Sequence, residues 1–540
     1  MTRFLKGSRL IHTLKATHAM ATAPHHLASQ SALRVMRQGG NAIEAMVSAA
    51  ATIATVYPHM NSIGGDGFWL IVQPNGEVIA IDACGGAAAT IQAQTYLDMG
   101  LNKIPFRGPL AANTVAGTVA GWAKALEISA ACGGVATLDH LLEDAIEYAE
   151  HGFPVTAGQQ ILTEHKLSEL KEVPGFAETF LVDGKVPREG AMLRNPRLAN
   201  TFKHLVQHGL LDFYQGELAQ LIAKDLETVG SPVSLEDLQQ FQAQAMTPLR
   251  MEHRLGTLFN TQPPTQGLVS LLILGLLDRT DLKSKQVDSA DHVHLVVEAT
   301  KLAFQIRDRQ ITDLRYMKTP PQEFLTPQAL DQLAAKIQLD RAAPWGMGRG
   351  PGDTIWMGTC DAQGMCVSFI QSIYHEYGSG VVLPTTGINW QNRGASFSLD
   401  PEHINYLIPG KKPFHTLNPA AAIFKDGRKM VYGNMGGDGQ PQSQAAVFTR
   451  YAIFDQALQQ AVSAPRWLLG RTWGQTSDSL KMESRFGEPV LSDLKNRGHE
   501  IDVLPAYDSV FGHAGAIVRH PNGVLEGATD PRADGVVAAF

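Results

Sequence analysis

The first eighty residues change from a helical to a strand pattern of hydrophobic and polar positions. Apolar side chains recur at helical spacing over residues 27–37, and a second such pattern covers residues 41–55. Two short apolar runs follow at residues 67–72 and 78–81, joined by a Pro-Asn-Gly turn at residues 74–76. This part of the chain therefore predicts two helices followed by a hairpin.

The remaining chain divides near residue 354 into a helical part and a strand-rich part. Residues 115–340 carry mainly helical patterns, including a capping box that begins at Ser234 and a helix that begins at Ser289. From Thr354 onward strands dominate, and the first two form a predicted hairpin. These strands are predicted at residues 354–359, 365–372, 420–424, 430–432 and 515–518. Paired strands with helices on both sides predict a four-layer α/β/β/α sandwich.

Chain length and charge narrow the kind of protein. A chain of 540 residues exceeds the ~250–300 residues at which a single core usually stops growing, so two lobes or two interleaved segments are expected. The hydrophobic content of 44% and the charged content of 18% are typical of a soluble globular protein. The net charge of -7, without a basic stripe, argues against a nucleic-acid partner.

The hydrophobic segments argue against a membrane protein. Residues 1–10 lack the continuous apolar stretch of a signal peptide. The longest apolar run, residues 268–277, is far shorter than the ~20 residues that cross a bilayer. We therefore expect a cytoplasmic protein without a membrane partner.

The cysteines and histidines do not predict a metal site. The four cysteines stand at positions 84, 132, 360 and 366, and none forms a Cys-x-x-Cys pair. Cys360 and Cys366 flank a turn between two facing strands, and in a reducing compartment both are expected to remain small buried thiols. His292 and His294 are two residues apart on a predicted helix, which points them to different sides. No metal is therefore expected.

A glycine run at residues 64–67 does not predict a nucleotide site. The run Gly-Gly-Asp-Gly lacks a following Lys-Ser or Lys-Thr, and it precedes a strand instead of opening a helix. A tight backbone crossing before a core strand explains these glycines better. No cofactor is expected.

The junction between Asp353 and Thr354 carries candidate chemistry. A strip rich in glycine and proline, residues 344–353, runs directly into the strand that begins at Thr354. If the peptide bond before Thr354 breaks, this residue carries both a hydroxyl nucleophile and an α-amine with a pKa near ~7.7 that can act as its base. A plain loop before a strand is the alternative interpretation of the strip.

A second glycine run is a candidate oxyanion site. Residues 433–438 read Gly-Asn-Met-Gly-Gly-Asp, between a predicted strand and a helix expected to begin near Ser443. Successive glycine amides at a strand-to-helix turn form a group of N–H donors suited to a developing negative charge. An ordinary turn is the alternative.

Short motifs spread over the chain carry a resemblance to a known family. They are Asn41-Ala42, Tyr57-Pro58-His59, Ile63-Gly64-Gly65-Asp66-Gly67-Phe68, Pro263-Pro264 before Gly267, the hairpin at Thr354, Tyr377-Gly378-Ser379-Gly380, Gly387-Ile388, Gly436-Gly437 and Asp530-Pro531-Arg532. Each motif is weak by itself. In this order, from about residue 18 to residue 540, they resemble the γ-glutamyltransferase family of N-terminal-nucleophile hydrolases.

The resemblance implies a self-processing chain. Cleavage between Asp353 and Thr354 would leave a large segment, residues 1–353, and a small segment, residues 354–540. The two segments would interleave in one sandwich and stay associated.

The resemblance also implies catalytic roles. Thr354 would attack an amide carbonyl and form an acyl-enzyme, while the Gly436 and Gly437 amides would stabilise the oxyanion. Ser372 stands where the family keeps a second threonine that hydrogen-bonds the nucleophile. A hairpin serine that faces solvent is the alternative for Ser372.

Departures from the family pattern concern the substrate. The arginine that binds the γ-glutamyl α-carboxylate would lie within residues 83–86, which contain no cation. The residues that hold the α-amino group align with Tyr374, Arg393 and Ser396, and a serine pair aligns with His415-Thr416. The anion expected to bind a substrate ammonium is replaced by a guanidinium, so we expect an acid without an α-amine.

Arg393 is the candidate for binding that acid. Its guanidinium can hold a carboxylate through two parallel hydrogen bonds, with Tyr374, His415 and Thr416 as further donors. A surface arginine on a loop is the alternative.

The runs at residues 41–46, 59–61 and 82–85 look most like the oxamate amidohydrolase branch of this family. The branch implies hydrolysis of oxamate to oxalate and ammonia, in purine and allantoin degradation, with water as acyl acceptor. The alternatives are a γ-glutamyl hydrolase or transferase, a cephalosporin-type glutaryl acylase, and an uncleaved protein that only binds a small acid. An assembly of identical chains is compatible with each of them.

Overall fold

The computed structural model of the protein describes residues 12–346, 353–470 and 477–540. The expectation about a signal peptide in residues 1–10 lies outside the described residues, and so does most of the strip before Asp353. In chain order, the strands are β1 Leu14–Ala16, β2 Met20–Ala23, β3 Asp66–Val72, β4 Val78–Ala83, β5 Phe153–Pro154, β6 Met192–Leu193, β7 Gln244–Met246, β8 Leu249–His253, β9 Gly256–Asn260, β10 Asp353–Cys360, β11 Cys366–Tyr374, β12 Ala420–Phe424, β13 Lys429–Asn434, β14 Trp467–Leu469, β15 Leu480–Glu483, β16 Ile501–Leu504, β17 Ala514–Arg519, β18 Leu525–Thr529 and β19 Val536–Ala539.

The helices surround these strands. They are α1 His26–Arg37, α2 Ala42–Val56, α3 Ala93–Asp98, α4 Thr118–Ala131, α5 Leu138–His151, α6 Ala157–Leu170, α7 Phe176–Phe180, α8 Pro196–His208, α9 Asp212–Gln215, α10 Glu217–Val229, α11 Leu235–Gln240, α12 Gly267–Leu277, α13 Ala290–Gln310, α14 Pro327–Ala334, α15 Gln440–Phe448, α16 Leu458–Ser463 and α17 Glu488–Asn496. The apolar run of the sequence is α12, which is buried along its whole length. In the described part of the chain, no helix combines the length and hydropathy needed to span a bilayer.

Two antiparallel sheets form the centre of the molecule. Within the described residues, the first sheet has the strand order β19-β2-β10-β11-β3-β4-β7 and the second has the order β1-β18-β17-β13-β12-β9-β8. Both sheets combine strands from before and after Thr354. The segments on either side of Thr354 are therefore interleaved, and their separation would break both sheets.

Buried hydrophobic side chains define four layers. Between the sheets, Leu70 of the first and Ile517 of the second belong to one buried hydrophobic cluster. The outer face of the first sheet, with Trp69, packs against α1, α2 and α4. The outer face of the second, with Met430, packs against α12, α13 and α15. This order confirms the predicted α/β/β/α sandwich.

Polar side chains set the starts of helices where the sequence predicts them. Asn41 and Glu44 form a capping box at α2, since each side chain bonds the other's backbone N–H. Ser234 and Asp237 form the same motif at α11. Ser289 caps α13 by accepting a hydrogen bond from the His292 N–H.

One expectation about secondary structure was incomplete and another was wrong. Residues 115–340 are mainly helical, as predicted, but they also contain strands β7, β8 and β9, which were not predicted because the alternation in strands of at most five residues is short. Helix α15 begins at Gln440 and not near Ser443, with a proline in its first turn.

The expectation that Cys360 and Cys366 remain reduced was also wrong. The two residues are buried as predicted, and the β10–β11 register places them directly opposite each other. Their Cα atoms are 4.2 Å apart, and the structure joins them in a disulfide. Sequence spacing indicated facing strands, but only the register brings the two sulfur atoms together.

Candidate active site

Candidate residues from distant parts of the sequence meet at one end of the first sheet. Thr354 lies at the start of β10, and Ser372 lies near the end of β11. Asp66 begins β3 and stands opposite Ser372 in the β11–β3 register. Because β10, β11 and β3 are adjacent and antiparallel, these three residues lie at the same end of the sheet.

Thr354 and Ser372 are in direct contact. Both are completely buried. The Thr354 hydroxyl donates a hydrogen bond to Ser372 Oγ at 3.2 Å. Ser372 Oγ also accepts a hydrogen bond from the Tyr374 N–H at 2.8 Å. Ser372 therefore faces the interior beside Thr354, and the alternative of a solvent-facing serine does not apply.

Arg393 is a buried cation beside this pair. It lies in a short turn, Arg393–Ser396, and is completely buried instead of lying on the surface. Its guanidinium is 3.4 Å from Ser372 Oγ and 3.5 Å from Thr416 Oγ1, and it stacks on the Tyr374 ring at 4.0 Å. Burial lowers the pKa of Arg393 to about 10, so it stays charged at neutral pH.

The donors of Arg393 are only weakly used within the described residues. The two hydroxyl contacts are long for hydrogen bonds, and Nε has no hydrogen-bond partner there. A buried guanidinium with unused donors is suited to a carboxylate, which accepts two of them at once.

Asp66 is a site residue that the sequence analysis missed. Its Oδ1 accepts hydrogen bonds from the Gly85 N–H at 3.3 Å and the Gly117 N–H at 3.0 Å. Burial raises its pKa to about 7, and the positive charge of Arg393 opposes that shift. The interpretation of the first glycine run as a tight backbone crossing is correct for Gly65, because a Cβ there would collide with the Ser372 carbonyl oxygen. The available signal was an acidic residue inside a glycine run.

His415 lies between Asp66 and the aromatic wall of the site. Its Nε2 is 3.3 Å from Asp66 Oδ2, and its ring stands edge-on to Phe68 at 5.0 Å. Burial, together with the positive charges of Arg393 and Lys412, holds the pKa of His415 well below its usual value. At neutral pH it is therefore an uncharged group that can donate or accept a hydrogen bond.

A cation reaches the segment 83–86 from elsewhere in the chain. Lys412 donates a hydrogen bond to Asp82 Oδ2 at 2.7 Å. Together with Cys84 these residues line a cavity of about 590 Å³ next to the site. The charge of Lys412 is balanced by Asp82, so it differs from Arg393, which retains unused donors.

The second glycine run is a turn between β13 and α15. Gly436 and Gly437 have φ values of 121° and 50°, which glycine adopts without strain. Gln266 donates hydrogen bonds to the carbonyl oxygens of both Gly437 and Thr416, each at 2.8 Å. One amide side chain therefore ties the glycine turn to the segment that carries His415 and Thr416.

One cluster of side chains outside the candidate site could bind a metal ion. Among the described residues, His294, Glu298 and His499 are close enough to share an ion. The histidines already lie 2.8 Å apart in a hydrogen bond, and Glu298 is paired with Lys301 at 2.7 Å. A hydrogen-bonded pair beside a buried ion pair accounts for these contacts. His294 and Glu298 are four residues apart on α13, which is a spacing suited to two ligands. The sequence analysis considered only the pair His292 and His294.

The comparison with known proteins decides the family. The family model described as gamma-glutamyltranspeptidase matches residues 28–540. The chain belongs to this family. That match confirms the resemblance carried by the short motifs.

Two curated members of the gamma-glutamyltranspeptidase family match almost the whole chain. Oxamate amidohydrolase proenzyme of Klebsiella pneumoniae is 59% identical over 526 residues, which are 97% of this chain and 99% of that protein. Glutathione hydrolase-like YwrD proenzyme of Bacillus subtilis is 38% identical over 526 residues, with the same coverage of both chains. This family member therefore matches proteins that are named as proenzymes.

A solved structure of similar shape supports the fold of this family member. Cephalosporin acylase from Bacillus halodurans superposes with a TM-score of 0.90 at 31% identity, covering 100% of this chain and 99% of that one. The likeness extends over the whole sandwich and confirms the N-terminal-nucleophile hydrolase fold class.

The pKa of Asp66 leads to a pH prediction for anion binding at Arg393. Above about pH 7 an ionised Asp66 balances Arg393 and repels a second carboxylate, whereas below pH 7 the protonated form leaves the guanidinium to the ligand. We expect KM for an anionic amide to rise about tenfold between pH 6 and pH 8. A KM that stays constant across this range would contradict the assignment.

The matched control is Asp66→Asn, which should remove this pH dependence of KM.

The same pKa shift affects stability. Because burial disfavours the charged carboxylate, the free energy of unfolding should fall as pH rises from about 4, the unfolded pKa, to about 7. Urea denaturation of both proteins at pH 5 and pH 8 measures this difference.

Proposed function

We propose that the protein is a self-processing N-terminal-threonine amidohydrolase that hydrolyses a small carboxylate-bearing amide, with oxamate as its substrate. The observation that carries the proposal is the buried Arg393 guanidinium beside Ser372, which itself contacts Thr354. A buried guanidinium so near the Thr354 hydroxyl supports an acid-binding group beside the proposed nucleophile. The 59% identity to oxamate amidohydrolase proenzyme supports the same substrate.

Self-processing occurs between Asp353 and Thr354. It produces a large segment, residues 1–353, and a small segment, residues 354–540. The interleaved sheets support their continued association, since strands of both segments alternate in each sheet. Cleavage frees the Thr354 α-amine, which then serves as the base for its own hydroxyl.

Hydrolysis proceeds through an acyl-enzyme. Thr354 Oγ attacks the amide carbonyl while its proton passes to the α-amine, and the Gly436 and Gly437 amides stabilise the oxyanion. Ammonia leaves with that proton as the C–N bond breaks. Water then attacks the ester carbonyl and releases the acid. Ser372 orients the Thr354 hydroxyl before the attack.

Arg393 holds the substrate carboxylate through two hydrogen bonds, assisted by Tyr374, His415 and Thr416. From the sequence we expected the site to have lost its anionic group. Asp66 nevertheless lies within it. Asp66 accepts hydrogen bonds from two backbone N–H groups and faces His415, so its ionised form balances the charge of Arg393 before substrate binds. Oxamate, in which the carboxylate is joined directly to the carboxamide, fits a cation this close to Thr354.

A longer acyl group is the second candidate. The cavity of about 590 Å³ beside Cys84 and Lys412 favours it, because such a volume exceeds what oxamate needs. On this alternative the protein is a glutaryl acylase or a γ-glutamyl hydrolase.

Ammonia release from oxamate by the purified protein tests the proposal. Glutaryl and γ-glutamyl amides are assayed beside it at equal concentration. A kcat/KM for oxamate at least tenfold above both is the expected result. Preference for a glutaryl or γ-glutamyl amide would replace oxamate by the longer acyl group.

Ser372→Ala is expected to slow self-cleavage and turnover about tenfold, since it removes the acceptor of the Thr354 hydroxyl. Time-resolved gel analysis of newly synthesised protein measures cleavage, and ammonia release measures turnover. The matched control is Ser368→Ala on the same strand, which loses buried hydrogen bonds to Trp356 and Tyr432. Equal rates in the two variants would rule out an orienting role, and Ser372→Thr should restore both rates.

A further inference from the structure

A buried arginine holds the turn that carries the proposed oxyanion donors. Arg466 lies between α16 and β14, and its side chain is almost completely buried. Its Nη1 donates hydrogen bonds to Asn434 Oδ1 at 3.2 Å and to the carbonyl oxygens of Phe511 and Gly512 at 3.2 and 2.7 Å. Asn434 is the last residue of β13, where the turn begins. One guanidinium nitrogen therefore joins the start of the turn to the segment that precedes β17.

Asp530 balances the charge of Arg466 on its other side. Nη2 of Arg466 donates hydrogen bonds to Asp530 Oδ2 and, at 2.9 Å, to the Val462 carbonyl oxygen. Asp530 Oδ2 also accepts a hydrogen bond from the Ala514 N–H at 2.7 Å. Ala514 stands opposite Asn434 in the register of β13 and β17. The ion pair therefore holds these two strands together at the point where the turn leaves the sheet.

Gly512 connects this ion pair to the turn. Its φ of 79° is one that glycine adopts without strain, and a Cβ there would lie only 1.9 Å from the Met435 carbonyl oxygen. A Cβ at Gly436 would lie 3.2 Å from the Gly512 Cα. Because Arg466 binds the Gly512 carbonyl oxygen, it fixes the backbone against which the turn packs.

The N–H groups of the turn differ in their partners. The Met435 N–H donates a hydrogen bond to the His513 carbonyl oxygen at 2.9 Å, so it cannot serve an oxyanion. Among the described residues, the N–H groups of Gly436 and Gly437 have no such backbone partner. The two donors proposed for the oxyanion therefore follow directly on a residue that is anchored to the segment before β17.

We infer that Arg466, Asp530 and Gly512 are positioning residues for catalysis, which place the Gly436 and Gly437 amides where the oxyanion forms. The inference rests on the proposed function, since it takes these two amides as the oxyanion donors. Such donors act on the charge that develops in the transition state, and they lower the barrier only when they are already oriented. A displaced turn should therefore lower kcat and leave KM nearly unchanged.

Gly512→Ala tests the inference in the self-cleaved protein. The added Cβ would collide with the Met435 carbonyl oxygen, so the turn has to move. Since a displacement of about 1 Å can cost about 10²-fold in rate, we expect kcat for oxamate to fall about 10²-fold, with KM within about twofold of wild type. Steady-state ammonia release measures both constants.

Gly523→Ala is the matched control. Gly523 lies in the turn between β17 and β18 with a φ of 86°, and a Cβ there would have no atom within 4 Å. The substitution brings the same backbone strain without a contact, so kcat and KM should stay at their wild-type values. Thermal unfolding of both variants compares the effect of the strain on stability.

Arg466→Lys tests the arginine without leaving Asp530 unpaired. It keeps the positive charge but replaces two nitrogen donors by one, which cannot occupy both Nη positions. We expect kcat to fall about tenfold, less than for the loss of an oxyanion donor, with KM unchanged. Arg450→Lys, at a buried arginine paired with Asp288, is the control and should keep the wild-type kcat.

Three results would overturn the inference and leave the proposed function standing. One is an unchanged kcat in Gly512→Ala, and another is an equal loss in Gly523→Ala, because backbone strain would then explain it. The third is an uncleaved Gly512→Ala beside a cleaved Gly523→Ala, since the contact would then serve the precursor and not hydrolysis.

Failure of the proposed function gives a different result. If the wild-type protein hydrolyses a glutaryl amide but not oxamate, the proposed substrate is wrong, and kcat and KM for the glutaryl amide test the positioning role in the same variants. If neither amide is hydrolysed by the cleaved protein, the proposed function and the inference both fail.

Discussion

Thr354→Ala is expected to give a single uncleaved chain that releases no ammonia from oxamate. The substitution removes the proposed nucleophile, and without cleavage the α-amine that serves as its base is not formed. Loss of such a nucleophile should reduce turnover by about 10⁴-fold or more, to the background of the assay. Intact-mass measurement and ammonia release on the same preparation test both parts of the prediction.

Two variants control for indirect effects. Thr359→Ala removes a buried threonine on the same strand, whose hydroxyl bonds the Ala42 carbonyl oxygen, and should still cleave and turn over. Thr354→Ser keeps a hydroxyl and should cleave, though more slowly. Two fragments separated before residue 354 in Thr354→Ala would contradict the N-terminal-threonine mechanism and favour the uncleaved acid-binding alternative.

Arg393→Met is expected to lower kcat/KM for oxamate by about two to three orders of magnitude. It removes a buried, charge-assisted hold on the carboxylate, which corresponds to roughly 3–4 kcal/mol. It also removes the positive charge that opposes the raised pKa of Asp66, so that pKa should rise further. Most of the loss should appear in KM, because the carboxylate is bound in both the ground state and the transition state.

Oxamide, which carries a second carboxamide in place of the carboxylate, isolates this effect. Wild-type protein should prefer oxamate to oxamide, and Arg393→Met should remove most of that preference. Arg450→Met is the matched control, because Arg450 is equally buried and paired with Asp288 away from the site. If Arg393→Met retained the wild-type preference, Arg393 would not be the carboxylate site.

Most strands and helices could be predicted because their signals are local. The cap residues Asn41, Ser234 and Ser289 mark helix starts through contacts within four residues, and β11 is rich in β-branched and aromatic residues. The strands β7, β8 and β9 were missed because a five-residue alternation inside a helical region is too short to stand out. Helix α15 was placed three residues late because it begins almost directly after the glycine run, with a proline in its first turn.

The candidate site could be predicted only in part. Arg393 and Ser372 were identified from their positions in the family pattern. For each, the sequence alone could not exclude that the residue lies on the surface. Asp66 was missed because close backbone packing is a correct and sufficient explanation for the glycines around it, so the acidic residue among them was not considered. Its raised pKa comes from burial, which outweighs the opposing effect of Arg393 and of the Gly85 and Gly117 N–H groups. Its neighbour His415 is about 350 positions away in the chain.

The sequence by itself determined the family, the α/β/β/α layering and the identity of the proposed nucleophile, because each depends on residue types in order along the chain. Only the tertiary structure decided that Cys360 meets Cys366, that Arg393 is buried beside Ser372, and that Asp66 faces His415. Burial, charge balance and side-chain approach arise from strand register and sheet packing, which join segments hundreds of residues apart.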